Sequence, residues 1–119
     1  MKLLTNPIRE QLLRNGRLQQ ECSEAGGSDA DFVPVVKLFT PDAACTWLLT
    51  ELDPDDPDIA FALCDLGFGC PELGCVRISE IESVRGRLGL PVERDRHFHP
   101  DKPLSAYARE ARARGHIAA

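Results

Sequence analysis

Four runs of mostly apolar residues occupy the middle of the chain, and turn-forming residues separate them. The first run is β-branched and ends at the turn signal Thr40-Pro41-Asp42. Short apolar runs bounded in this way are typical of β-strands, and connections this brief are too short for parallel crossovers. The pattern therefore predicts an antiparallel sheet of about four strands in a meander. The predicted strands are residues 33–39, 46–52, 59–66 and 73–78.

Helical patterns lie on both sides of these strands. Asn6 can cap a first helix, Pro7 suits its first position, and Gly16 predicts its end. Residues 79–82 match a capping box and predict a short helix after the strands. Residues 103–115 carry apolar side chains at helical spacing and predict a C-terminal helix.

The order of these elements predicts an α+β domain with its helices packed against one face of the sheet. Residues 91–98 are predicted to be extended, and the polar, glycine-bearing residues 21–31 are predicted to form an exposed loop. A chain of 119 residues has room for one hydrophobic core. Residues 1–119 are therefore predicted to form a single domain.

The composition excludes several classes of protein. Hydrophobic residues make up 43% of the chain and charged residues 28%, which is close to an average globular domain. No apolar run approaches the roughly 20 residues of a bilayer span, and the first residues lack the apolar stretch of a secretory signal. We therefore expect a cytoplasmic protein with no membrane partner. The five cysteines are an odd number without a Cys-x-x-Cys pair, so we expect free thiols.

The net charge of −5 is spread unevenly along the chain. Residues 1–20 carry a net +3, residues 21–76 carry −11, and residues 77–119 again carry +3. A negative block attracts basic partners and repels nucleic acid, although solubility alone also favours such a surface. The block is densest at residues 51–58, whose five carboxylates are candidate binding groups. They are Glu51, Asp53, Asp55, Asp56 and Asp58.

This acidic run is interpreted as a solvated hairpin turn rather than a metal-binding loop. Hard cations such as calcium and magnesium prefer oxygen ligands, but an EF-hand loop needs a glycine at its sixth position and a glutamate at its twelfth. The run supplies neither. Pro54 and Pro57 also remove amide donors that would brace such a loop. We therefore expect no bound metal here.

His97 and His99 are the strongest candidates for metal chemistry. In an extended segment, residues two apart point to the same side, as a pair of metal ligands would. Cys70 and Cys75 could complete four zinc ligands, but their spacing is not that of a recognised zinc site. We therefore expect no stoichiometric zinc and no cofactor. The alternative is an exposed polar edge strand with Phe98 turned inward.

Two further functions have candidate residues in the same segment. An enzyme would have to use His97, Glu93 or Asp95, because the chain lacks a nucleophile elbow and a glycine-rich setting for a reactive cysteine. Glu93 and Asp95 have the spacing of a carboxylate pair, which is common by chance. A nucleic-acid-binding module would use the four arginines of residues 85–96. The acids interleaved with them favour salt bridges over phosphate contacts.

Several motifs have a familiar pattern, the most specific being Glu-Ser-Val-Arg-Gly-Arg-Leu-Gly-Leu-Pro-Val-Glu-Arg-Asp at residues 82–95. The others are residues 1–5, 36–42 with 46–47, 63–67 with 71–74, and 102–107. With these motifs the chain resembles the family catalogued as domain of unknown function 2958, over almost its whole length. The resemblance implies small bacterial proteins, often encoded on plasmids and other mobile elements beside genes for conjugation and anti-restriction. It implies no activity, cofactor or catalytic residue.

The expected function is that of a small non-enzymatic protein-interaction domain, an accessory or antagonist protein in DNA processing or host defence. Its working surface is expected within residues 85–99, where ordered loop residues could carry function. The candidate binding groups there are Arg85, Glu93, Arg94, Asp95, His97 and His99. The expected inward anchors are Val84, Leu88, Leu90, Val92 and Phe98. The competing interpretation is that the charged residues only tie this segment to the sheet through ion pairs.

Overall fold

The computed structural model describes residues 3–27 and 29–119 and shows an α+β fold. The predicted fold class is confirmed: one helix precedes an antiparallel sheet, and a short helix and a C-terminal helix follow its four main strands. The elements are α1 (Asn6–Glu24), β1 (Val36–Phe39), β2 (Thr46–Asp53), β3 (Asp56–Asp65), β4 (Glu72–Arg77), α2 (Ile78–Ser83), β5 (Glu93–Arg94) and α3 (Leu104–Arg114).

The sheet has the strand order β4-β3-β2-β1-β5, and all of its neighbouring strands are antiparallel. The first four strands form the predicted meander. The fifth strand comes from the segment predicted to be extended, of which only Glu93 and Arg94 pair with β1. The chain therefore places residues 93–94 at one edge of the sheet and β4 at the other.

Helices cover both faces of the sheet, so the prediction that they share one face is wrong. α1 and α2 bury Leu12 and Ile81 in a core with Trp47 and Leu49, whereas α3 packs on Leu48 in a second core. Consecutive residues of a strand point to opposite faces. An uninterrupted apolar run in β2 therefore needs cover on both sides, and α3 supplies the second layer.

α1 is longer than predicted, because Gly16 lies within the helix instead of ending it. Thr5, and not Asn6, is the N-cap, and its Oγ1 accepts a hydrogen bond of 3.4 Å from the Ile8 amide. The helix ends at Glu24, so residues 21–24 belong to it and not to the predicted loop. Gly16 is required by packing: a Cβ there would overlap the carbonyl oxygen of Leu52.

α1 also protects a part of β2 that β1 leaves uncovered. β1 begins at Val36, which pairs with Leu49 of β2. The backbone of β2 after Leu49 therefore has no neighbouring strand on the β1 side. The buried Asn15 Nδ2 donates a hydrogen bond of 2.8 Å to the carbonyl oxygen of Thr50. A register shift between Leu49 and Glu51 brings Leu49 and Leu52 into the same core. This shift also positions Glu51 at the cleft described below.

The capping box predicted at residues 79–82 does not form. The N-cap of α2 is Arg77, which makes no side-chain capping bond. Ser79 instead donates from its amide and hydroxyl to the two carboxylate oxygens of Asp58, at 2.9 and 2.7 Å. A partner from a neighbouring strand therefore replaces the local partner that the sequence pattern indicated.

Candidate functional site

Only some of the candidate binding residues at positions 85–99 lie close together in the structure. Glu93, Arg94, Asp95 and His97 line one shallow cavity of about 270 Å³ beside β1. Its shape would admit a small ligand. Arg94 and Asp95 have partners within the chain, whereas the side chains of Glu93, Arg96 and His97 have no hydrogen-bond or ion-pair partner among the described residues.

Two of these side chains hold the segment in place. Arg94 Nη1 donates a hydrogen bond of 2.8 Å to the carbonyl oxygen of Leu3, and Asp95 Oδ2 lies 3.3 Å from Lys37 Nζ. Asp95 Oδ1 also accepts the His97 amide at 2.8 Å. That backbone hydrogen bond is the main cause that lowers the pKa of Asp95, and the bond from Lys37 adds to it.

The turn that Asp95 makes ends the extended segment earlier than predicted. Residues 96–97 form a turn, so His97 and His99 do not belong to one continuous strand, and the geometric premise for a histidine pair is wrong. Within residues 3–27 and 29–119, no group of three or more His, Cys, Asp or Glu side chains is placed to hold a metal ion. Burial raises the pKa of the Cys64 thiol to about 11 and raises that of Cys45, which keeps both in the unreactive thiol form.

Arg85 does not tie the segment to the sheet through an ion pair. Its Nη1 donates to the carbonyl oxygens of Glu82 and Val84, both at 2.8 Å, so it stabilises the end of α2. Arg87 and Arg96 are exposed, and neither takes part in a side-chain hydrogen bond or ion pair among the described residues. The arginines of this segment therefore differ in role: two contact backbone oxygens and two face solvent.

Two of the five expected inward anchors point outward. Val92 is buried, and Val84 and Phe98 pack against the two cores. Leu88, however, is 79% exposed and Leu90 is 42% exposed, so the prediction for these leucines is wrong. The loop that carries them turns away from the core because its backbone is bonded to a side chain of another loop.

That side chain is Asp42. Its Oδ2 accepts the amides of Leu88 at 2.6 Å and Leu90 at 3.3 Å. Its Oδ1 is buried without a hydrogen-bond partner in the described part of the chain and lies against Gly86, where no side chain would fit. Gly89 follows with a positive φ of 77°, which favours glycine. Asp42 therefore holds residues 86–90 in one conformation.

Three loops meet at the same end of the sheet, which we call the loop end: residues 40–45, 66–71 and 86–90. Strand direction places them together, since β1 and β3 finish at this end and β2, β4 and β5 begin there. Ala44 contacts Gly67, as Asp42 contacts residues 86–90, so the first loop braces the other two. Phe68, at the tip of the second loop, is 84% exposed. Phe68 was not among the predicted binding residues, although an aromatic residue between two glycines is a visible signal in the sequence.

The five acidic candidates do not converge. β3 begins at Asp56, so only residues 54–55 remain as the predicted hairpin turn, and the other acids lie along two strands. Asp56 and Asp58 pair with Arg77 at 3.3 and 3.5 Å. The hydrogen bond from the Ser79 hydroxyl is the main cause that lowers the pKa of Asp58. Asp55 accepts from Gln20 on α1. Asp55, Asp56 and Asp58 are therefore engaged by other parts of the chain.

Glu51 is the exception. It lines a cleft of about 300 Å³, together with Gln19 and Gln20 of α1, Asp29, Asp53 and Phe61. No hydrogen bond or ion pair of its carboxylate exists among the described residues. Burial, with a further contribution from the charge of Asp29, raises the pKa of Glu51 to about 7.

Replacing Glu51 by Gln is expected to remove a pH-dependent loss of stability. The pKa of Glu51 is about 7 in the folded chain and near its ordinary value of 4.5 in the unfolded chain. The folded state therefore binds more protons between these values, so the free energy of unfolding falls as pH rises from 4.5 to 7. Because the side chain is only partly buried, solvent screens its charge and we expect a loss of about 1 kcal/mol.

Urea unfolding at pH 4.5, 6 and 8 would measure this effect in the wild type, Glu51→Gln and the control Glu93→Gln, whose side chain is exposed. The Glu51→Gln variant should be more stable than the wild type at pH 8, whereas the control should follow the wild type. Parallel pH profiles for Glu51→Gln and the wild type would contradict the assignment.

The structure thus defines an α+β domain in which helices cover both faces of a five-stranded antiparallel sheet. A family model described as "Protein of unknown function (DUF2958)" matches residues 3–118. The chain belongs to this family, and the expected resemblance is confirmed. The search of curated proteins and the search of solved structures each gave no match. Among the described residues, no helix is both long and apolar enough to cross a bilayer.

Proposed function

We propose that this chain is a non-enzymatic protein-interaction domain that binds its partner through the loop end. The observation that carries the proposal is the exposure of Phe68 and Leu88, at 84% and 79%, on loops that are held in place by the loop between them. Exposed apolar side chains that together form a patch on the surface are characteristic of interaction sites.

The bracing of these loops favours binding. A partner would bury apolar surface worth roughly 25 cal/mol per Å². Part of that gain is normally lost to ordering of mobile loops. Asp42 already fixes the backbone at Leu88 and Leu90 through two hydrogen bonds, and Ala44 packs against Gly67. A partner therefore meets a surface that needs little further ordering.

The charges near these side chains indicate the chemistry of the partner. Arg87 is exposed next to Leu88, and Arg112 of α3 lines a cleft with residues 69–73. Arginines beside apolar side chains complement a partner surface with an apolar centre and acidic neighbours. We place this partner among bacterial proteins of DNA processing or host defence, in the cytoplasm, because the family resemblance implies a plasmid or mobile-element context.

The two alternatives receive less support. In a nucleic-acid-binding module the arginines of residues 85–96 would face phosphates, but Arg85 and Arg94 donate to backbone oxygens. In an enzyme His97, Glu93 or Asp95 would act as an acid or base. The Asp95 carboxylate is engaged by Lys37 and the His97 amide, and Glu93 and His97 are both exposed. An interaction surface needs none of these groups to be released.

The test is affinity capture from a native bacterial host, followed by titration of the purified partner. Wild type is compared with Phe68→Asp, Leu88→Asp and a control, Leu18→Asp, which alters a half-exposed leucine on α1. We expect each loop-end variant to bind at least tenfold more weakly, since central apolar contacts carry most of the energy of an interface. The control should bind as the wild type does.

Three results would contradict the proposal. One is a partner that binds both loop-end variants normally, and another is an equal loss in the control. The third is capture of no protein whose recovery depends on Phe68 or Leu88. Binding that weakens with salt and in Arg87→Ala would support an acidic partner surface.

A further inference from the structure

The Glu51 cleft is at the opposite end of the sheet from the loop end, beside the β2–β3 hairpin. Its walls come from three parts of the chain: the second half of α1, residues 29–30, and strands β2 to β4. These parts are joined by specific contacts, because Gln19 bonds both Asp29 and the Ala30 amide, at 3.0 and 2.7 Å. The cleft is therefore a formed feature of the fold.

The lining combines carboxylates with an apolar wall. Phe61, Ile59 and Pro54 form part of the wall, and Glu51 and Asp29 lie beside them. Asp29 is already bonded to Gln19, whereas Glu51 has no hydrogen-bond or ion-pair partner in the described ranges. A cavity with apolar walls and a few polar groups is the usual form of a small-molecule site.

The arrangement does not suit a metal ion. Neither this set nor any other among residues 3–27 and 29–119 brings together three metal-ligating side chains. A volume of about 300 Å³ also exceeds what a bare ion fills and lies at the lower end for organic ligands. The complementary group is a cation that carries its own apolar stem, as in an alkylguanidinium or alkylammonium.

We propose that the cleft binds an organic cation, a guanidinium or ammonium group on an aliphatic stem, with Glu51 as its counter-ion and Phe61 against the stem. This inference is independent of the loop-end function, because it uses the opposite end of the sheet. The cation has two possible sources: a free small molecule, or an arginine or lysine side chain presented by a protein.

Binding should depend on pH in a characteristic way. The polar and titratable groups that line the cleft with Glu51 are Asp29, Asp53 and Cys75 and the neutral amides of Gln19 and Gln20. With the pKa of Glu51 at about 7, the carboxylate must lose a proton before it pairs with the cation. Affinity is therefore expected to rise about tenfold between pH 6 and pH 8, with release of a proton on binding.

The experiment is NMR titration of the full chain with n-butylguanidinium, with its neutral analogue n-butylurea, and with a blocked Gly-Arg-Gly tripeptide. We expect n-butylguanidinium to shift amides around residues 51, 61 and 75 at pH 8 and to bind about tenfold more weakly at pH 6. Glu51→Gln should lose this response, whereas Glu93→Gln should keep it and n-butylurea should give none. Because glutamine is isosteric with glutamate and the change removes an uncompensated charge, Glu51→Gln is expected to fold.

The tripeptide separates the two sources. Binding as tight as that of n-butylguanidinium assigns the cleft to a protein side chain, and exclusion of the peptide assigns it to a free small molecule. Two results would overturn the proposal: equal shifts in Glu51→Gln and wild type, or no shifts with millimolar n-butylguanidinium at pH 8.

Discussion

Gly16→Ala is expected to lower the free energy of unfolding by about 3 kcal/mol. In an ordinary helix the same change stabilises, because alanine has the higher helix propensity by roughly 1 kcal/mol. Here the new Cβ would overlap the Leu52 carbonyl oxygen, and Pro54 Cδ would be only 3.2 Å away. α1 would have to move off β2, which weakens the buried bond from Asn15 to Thr50.

Chemical denaturation of the wild type and of Gly16→Ala would measure this loss in the free energy of unfolding. The matched control is Gly74→Ala, at a glycine in β4 where a Cβ meets no atom within 4 Å and φ is not positive. The control should change stability by less than about 0.5 kcal/mol. A Gly16→Ala variant more stable than the wild type would contradict the close contact between α1 and β2.

Gly86→Ala and Asp42→Ala are each expected to lower the free energy of unfolding by about 2 kcal/mol. The double variant is expected to lower it by little more than either substitution alone. A Cβ at position 86 would occupy the space of the Asp42 carboxylate and displace it. Asp42→Ala removes the same carboxylate directly, so both changes release the amides of Leu88 and Leu90. Once the carboxylate has gone, the second substitution has little left to disrupt.

A double-mutant cycle by urea unfolding tests this coupling, with Asp42→Ala plus Gly74→Ala as the additive control pair. Additive losses for Asp42 and Gly86 would show that they act separately. Under the proposed function, both single variants should also weaken partner binding, because they release the loop that presents Leu88. If a destabilised Asp42→Ala variant bound the partner normally, residues 86–90 would not be part of the interface.

The regular elements were largely predictable from local patterns. Short apolar runs and turn residues placed the four main strands within a few residues of their observed bounds, and the predicted helix at residues 103–115 matches α3, which ends at the left-handed Gly115. These features depend on neighbours along the chain, so the sequence contains the needed information. The errors at Gly16 and Ser79 arose where a distant partner replaced the local one: Leu52 requires the glycine, and Asp58 takes the hydroxyl.

The candidate sites were less predictable, because each depends on contacts between distant segments. Residues 85–99 were predicted to form the working surface because of their charged side chains. In the structure Arg94 and Asp95 have partners within the chain, and the exposed leucines are the distinctive feature. Leu88 was expected to be buried because leucine usually is. Leu88 is exposed because its backbone amide is bonded to the carboxylate of Asp42, which lies 46 positions earlier in the chain and holds the loop away from the core.

The sequence by itself determined the fold class, the family and the concentration of negative charge in the middle of the chain, because composition, periodicity and short motifs are properties of the linear order. The tertiary structure alone decided that helices cover both faces of the sheet, that three loops meet at one end, and that Glu51 lies in a cleft without a partner among the described residues. Burial, hydrogen-bond partners and pKa depend on which distant segments pack together, and no local pattern specifies that choice.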